Sequence, residues 1–161
     1  MNQNIPIWRT GRTSRPRRLS THMELTDALD LARSNRNGVL VTIKRDGRPQ
    51  LSNIIHTVGV DGDILISVTG DRAKAINMRR DPRVSLYINR EDNWAYVVLD
   101  GIAALTPEAA EPDDATVDSL VDFYRAIQGE HDDWEDYRAT MVRDRRLLVT
   151  IRADHAYGMW S

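Results

Sequence analysis

The chain has no cysteine among its 161 residues, which removes disulfides, thiolate metal sites and thiol nucleophiles from consideration. That absence fits a reducing compartment, so a cytoplasmic setting is the expectation. No apolar run approaches the roughly 20 residues that span a bilayer; Ala95 to Leu99 is about the longest, and no membrane role is expected. The four histidines (His22, His56, His131 and His155) are scattered, without ligand spacing such as H-E-x-x-H, so no metal centre is expected. G-x-S-x-G, G-x-x-x-x-G-K-[ST] and G-x-G-x-x-G are all missing, which removes the familiar hydrolase, P-loop and Rossmann signatures. There is no internal repeat and no low-complexity segment.

Charge is present but unevenly placed. Residues 1–22 carry five arginines (Arg9, Arg12, Arg15, Arg17 and Arg18) and no acid. Taking those five from the 22 basic residues leaves 17 against 24 acids for the rest of the chain. An acidic body argues against nucleic acid as the main partner. The arm reads as a flexible, solvated basic extension, with contact to an anionic partner as the other reading. Arg17-Arg18 is not followed by an apolar segment, as a twin-arginine signal requires. Residues 23–161 suit one domain of common size.

Hydrophobic periodicity orders that domain. Leu25, Ala28, Leu29 and Ala32 fall at helical spacing, with Thr26 or Asp27 as a start and Asn37-Gly38 as a stop. Val39 to Ile43 is short and β-branched, a strand. Turns at Asp46-Gly47 and Asp61-Gly62 bound a long strand from Gln50 to Val60 and a third from Asp63 to Val68, an antiparallel meander. Arg72 to Arg80 reads as a helix with Asp71 as N-cap, stopped by Asp81-Pro82. Strands follow at Val84 to Ile88 and Trp94 to Leu105, then helical stripes through Val117, Leu120, Val121, Tyr124 and Ile127 and through Trp134, Tyr137 and Met141. Leu147 to Ile151 is a last strand that continues toward Trp160. With so little βαβ alternation, the expected fold is α+β: a six-stranded, mainly antiparallel split barrel with peripheral helices. Ile54, Val58 and Val60 alternate with Leu51 and Ile55, and Val98 opposes Val97 and Leu99. Apolar residues on both faces call for a second cover, which a partner subunit supplies most simply.

The most informative stretch is Ser67-Val68-Thr69-Gly70-Asp71-Arg72-Ala73-Lys74, where a strand turns at glycine into a helix carrying two cations at its start. The helix dipole disfavours cations there unless an anion is bound, and helix N-termini bind phosphate. A solvated helix start and a phosphate site both fit. His56, mid-strand with no carboxylate partner in sequence, reads as structural ahead of a general base. Trp94 and Tyr96 read as core or interface, with the wall of a flat ring as the alternative.

These features resemble the pyridoxamine phosphate oxidase-like split-barrel superfamily and, within it, the actinobacterial flavin/deazaflavin oxidoreductases. The resemblance is carried by Gly38 to Ile43, Asp46 to Asn53, Arg72-Ala73-Lys74, Arg79 to Arg83, Trp94-Ala95-Tyr96 with Gly101, Pro112-Asp113-Asp114, Tyr124, Gly129-Glu130-His131, Trp134, Tyr137-Arg138, Met141-Val142, Asp144-Arg145-Arg146 and His155 to Gly158. It implies a homodimer with two cofactor sites at the subunit interface, coenzyme F-420 as cofactor, and FMN as the alternative. It implies that Arg72 and Lys74 hold the cofactor phosphate, with Asn77 nearby. Pro49, Gln50, Leu51, Ser52 and Asn53 would run beside the ring, Ser67, Val68 and Thr69 would border it, and Trp94 and Tyr96 would come from the other subunit. The implied reaction is hydride transfer from reduced deazaflavin to an activated double bond of a small organic substrate. An FMN-dependent oxidase or reductase, and a non-catalytic binding module, compete with that reading.

Overall fold

The computed structural model describes residues 23–91 and 94–160; the basic extension expected over 1–22 lies outside the described residues. The elements run α1 (Leu25–Ser34), β1 (Asn37–Ile43), β2 (Pro49–Ile55), β3 (Thr57–Val58), β4 (Ile64–Thr69), α2 (Ala73–Arg80), β5 (Arg83–Asn89), β6 (Tyr96–Leu105), α3 (Ala115–Gln128), α4 (Trp134–Arg143) and β7 (Arg146–Met159). The fold is α+β: among the described residues, an antiparallel sheet ordered β2-β1-β5-β6-β7-β4-β3 curls into a half-barrel with four helices.

Among the described residues seven strands replace the expected six, because the run from Gln50 to Val60 breaks at His56. Residues before the break pair with β1, and those after it pair with β4. A single residue therefore joins the two edges of the sheet, and this join curls it. The expected meander is instead two hairpins at opposite ends of the strand order. Their turns are the predicted ones, with Gly47 at φ 81° and Gly62 at φ 84°, a region that favours glycine. His56 is fully buried; its amide donates to the Arg36 carbonyl (2.9 Å), and its Nε2 lies 3.1 Å from the Ala32 carbonyl.

Three boundaries differ from the sequence expectation. Helix α1 starts at Leu25 with Glu24 as cap, and Asn37 and Gly38 already belong to β1. The cap of α2 is Arg72 rather than Asp71, whose carboxylate accepts the Thr69 hydroxyl (2.9 Å) instead. Trp94 precedes β6 rather than opening it. Strand β7, by contrast, does run on to Met159, with a register shift opposite Asp100/Gly101.

The inner face of the sheet holds one core: Leu40, Ile64, Ile66, Leu86, Ile88, Leu99, Leu147 and Ile151 are essentially inaccessible, covered by Ala28 and Ala32 of α1 and by Ala75 and Met78 of α2. Each large aliphatic side chain so buried stabilises the fold by about 1.5–3 kcal/mol before entropy is counted. A second cluster packs α3 and α4 (Val117, Leu120, Phe123, Tyr137 and Met141) on Leu65 and Leu148, on the outer side of β4 and β7. Asp114 caps α3, accepting the Val117 amide at 2.7 Å, and Asp133 caps α4, accepting the Asp136 amide at 2.9 Å. The outward-facing Val98 is also buried, flanked in register by Tyr87 and Tyr157, so that part of the two-faced pattern is covered within the chain.

Candidate functional site

Alternation along β4 sends Ile64, Ile66 and Val68 into the core and leaves Leu65, Ser67 and Thr69 on the face that α3 and α4 cover. Across the split of the half-barrel lies edge strand β2. Between them opens a cavity of about 810 Å³, bounded at one end by the start of α2. That volume suits a cofactor-sized ligand.

One wall is polar and preorganised. Asn77, buried on α2, donates to the Thr42 hydroxyl (3.1 Å), and Thr42 donates to the Gln50 amide oxygen (2.9 Å). The Gln50 amide nitrogen donates onward to the Ser52 hydroxyl (2.8 Å). Gln50 and Ser52 line the cavity together with Asn53, Ile54 and Ile55. The opposite wall is apolar and aromatic: Phe123, Tyr124 and Ile127 of α3, and Tyr137 and Met141 of α4. The Tyr124 ring sits edge-on to Tyr137 (5.0 Å) and to Trp134 (5.7 Å), which fixes its plane.

The α2 end is cationic. No side chain caps α2, and its first turn holds no acid. Arg72 and Lys74 line the cavity there, joined by Arg146 from β7. Among the described residues none of the three has a carboxylate partner, whereas Arg79 and Arg145 both end on Glu108 (2.8 and 2.7 Å). Burial lowers the Lys74 pKa, and repulsion from Arg72 and Arg146 lowers it further. The Ser67 hydroxyl and the Arg146 Nε are buried without a hydrogen-bond partner. A site built this way fits a ligand that carries an anion at one end and a planar, partly polar body at the other.

Of the residues singled out in the sequence, the cavity brings together Gln50, Ser52, Asn53, Ser67, Val68, Thr69, Arg72 and Lys74. Pro49 and Leu51 are outside its lining, Leu51 facing outward from β2. Asn77 supports the wall through Thr42 rather than lining it. Trp94 and Tyr96 stand away from this cavity, Trp94 exposed and Tyr96 stacked on Tyr87. The lining from α3, α4 and β7 escaped the sequence reading. Its aromatic members lie on ordinary packing stripes, and Arg146 directly follows another arginine, Arg145.

Residues 25–159 match the family model described as pyridoxamine 5'-phosphate oxidase. The chain belongs to that family. A conserved hypothetical protein of Mycobacterium tuberculosis is 27% identical, with 88% of each chain covered and a TM-score of 0.67. A structure named F420 Reductase is 19% identical over 79% of this chain and 93% of that one, with a TM-score of 0.60. A heme binding protein of Mycobacterium smegmatis is 20% identical over 84% of this chain and 53% of that one, also with a TM-score of 0.60. The last two share the fold, and their names show that a pyridoxamine 5'-phosphate oxidase-type half-barrel does not by itself fix the ligand. Among the described residues no helix is long and apolar enough to cross a membrane.

Proposed function

We propose that this chain is an oxidoreductase that binds coenzyme F-420, with FMN as the alternative cofactor, and reduces an activated double bond of a small organic substrate. The observation that carries the reading is the uncapped, acid-free start of α2, with Arg72 and Lys74 facing a cofactor-sized cavity. Arg72 and Lys74 would hold the cofactor phosphate. Gln50, Ser52 and Asn53 would meet the polar edge of the ring, and Ser67, Val68 and Thr69 would border it. When bound, a flavin or deazaflavin ring supplies the hydride chemistry; the protein supplies position and electrostatics. Tyr124, Tyr137 and Met141 would keep water from the apolar side. The preference for F-420 rests on the resemblance to deazaflavin users, and the neighbour named F420 Reductase agrees with it.

We further propose that two copies assemble, the partner contributing Trp94 and Tyr96. A second functional reading, a non-catalytic ligand-binding module, is favoured by one observation: the described lining holds neither carboxylate nor histidine, so no residue of this chain is assigned as proton donor. Titrating apoprotein with F-420 and FMN under identical salt, followed by turnover with a panel of activated alkenes, tests all three. Tighter F-420 binding with turnover is expected. Tighter FMN binding reverses the cofactor assignment, and tight binding with no turnover supports the binding module.

A further inference from the structure

Two adjacent arginines begin β7 and meet different fates. Arg145 has a left-handed backbone (φ 50°), and its guanidinium is paired with Glu108 at 2.7 Å. Arg146 lies directly across from Thr69 in the β4–β7 register, on the face shared with Ser67 and the α3–α4 wall, and it lines the cavity. Its backbone is held on both sides. The Arg145 carbonyl accepts the Gly70 amide (3.0 Å), and the Arg146 carbonyl accepts the Ala109 amide (2.7 Å). These bonds tie the start of β7 to the turn leading into α2 and to the loop after β6.

The Arg146 Nε is buried with no partner, and among the described residues no carboxylate neutralises the guanidinium. A buried donor left unsatisfied, in a group that cannot shed its proton, is destabilising. Ser67, two residues before Thr69 on the same face, has a buried and equally unpartnered hydroxyl. Lys74, within electrostatic reach of Arg146, feels its repulsion. Tyr137, on the aromatic wall of the same cavity, feels its positive charge too. Three cations and a free hydroxyl thus converge on a volume with no acid in it. A planar guanidinium forks onto phosphate oxygens, which an ammonium cannot do.

We propose that Arg146 is an anion-binding residue of this site, gripping from the β7 side the phosphoryl group that Arg72 and Lys74 hold from the α2 side. The assignment rests on the cofactor reading above and extends it to a residue whose partner in sequence, Arg145, is purely structural.

The test uses the full-length protein and its Arg146→Gln and Arg152→Gln variants; Arg152 is an exposed β7 residue paired with Asp63 that removes the same charge elsewhere. FMN, F-420 and riboflavin, which lacks phosphate, are titrated into each, and melting is followed with and without inorganic phosphate. Arg146→Gln should weaken FMN and F-420 by about tenfold or more, as loss of a charge-assisted hydrogen bond implies. It should leave riboflavin within about threefold, and reduce the stabilisation by phosphate without lowering apoprotein melting. Arg152→Gln should match wild type. If the Gln variant does not fold, Arg146→Met, which keeps the unbranched stem, is measured the same way. FMN binding by Arg146→Gln equal to wild type, equal losses for FMN and riboflavin, or a loss confined to F-420 (which places Arg146 on carboxylates of its tail) would each overturn the assignment. Wild type that binds neither cofactor but is stabilised by phosphate through Arg146 removes the cofactor reading and leaves this one standing. Cofactor binding that ignores Arg146 does the reverse.

Discussion

Lys74 is the residue at which the proposed phosphate site is tested most directly. Its ammonium sits at a helix start, where the backbone dipole is positive, and it is part-buried beside two further cations. Because its folded pKa is lowered, the unfolded chain binds the proton more readily. Its contribution to stability is therefore unfavourable at neutral pH and is relieved only as pH rises through the folded value toward that of free lysine. Lys74→Ala should then leave the apoprotein as stable as wild type or more so, while weakening cofactor by about 1.5–3 kcal/mol, roughly ten- to more than hundredfold. Calorimetric titration paired with apoprotein melting reads both quantities. Unchanged affinity would mean that the phosphate lies elsewhere. Arg72 and Lys74 were legible in the sequence because a strand, a glycine and a helix start in succession place two cations by local rules alone. Arg146 was not, since nothing local distinguishes it from Arg145. The distinction comes from the register with Thr69 and from the Glu108 carboxylate, 37 residues away from Arg145, which takes one arginine and leaves the other. Tyr124 and Tyr137 were visible only as packing stripes, because a wall that faces a ligand and one that faces core need the same side chains.

Elements carry the next layer. Most were readable, since helix caps, D-G turns and period-two alternation are local signals. Asp114 and Asp133 cap α3 and α4. The break at His56 was not readable, because Thr57 and Val58 continue the β-branched pattern and only long-range pairing decides that they join β4. His56 is held there as a neutral ring: burial lowers its pKa, outweighing the Ala32 carbonyl that raises it. Below about pH 6.5 the unfolded chain takes up a proton that the folded chain refuses. Stability should therefore fall as pH drops from 7 toward the folded value, and His56→Gln should lose that part of the slope. Denaturant melts of both proteins at pH 7, 6 and 5 test this; parallel pH profiles would show that His56 does not couple stability to protonation. At α3, the Asp114 carboxylate accepts amides from Val117, Ala110 and Glu111 (2.7, 2.8 and 3.2 Å). Asp114→Ala should cost about 0.5–2 kcal/mol in urea unfolding. It should also loosen the aromatic wall that α3 carries; full stability would mean that the loop before α3 is held by other bonds.

For the whole molecule, the question is what covers β2. It is an edge of the sheet, paired only with β1, and its sequence Pro49–Ile55 carries no charge. Uncharged edges invite pairing, and proteins ordinarily blunt them with lysine or cover them. Leu51 is 61% exposed on its outward side, and Ile55, which borders the cavity, is 51% exposed. Ile102 adds a third exposed apolar side chain on β6, and Trp94 stands 76% exposed just before that strand. The β2 wall of the cavity adjoins this edge, and under the proposed assembly a copy seated there would contribute Trp94 and Tyr96. An obligate interface of this kind buries more than about 2,000 Å². Light scattering at micromolar concentration should therefore give twice the 18.4 kDa of one chain. Leu51→Glu, which sets like charges against each other across a twofold contact, should shift the mass to one chain while circular dichroism stays unchanged. Because half of the proposed ring site then departs, cofactor affinity should fall in the same variant although Arg72, Lys74 and Arg146 are intact. A wild-type mass of one chain would remove the dimer and, with it, the assignment of Trp94 and Tyr96. A dimer that survives Leu51→Glu would keep the assembly and move the interface off β2.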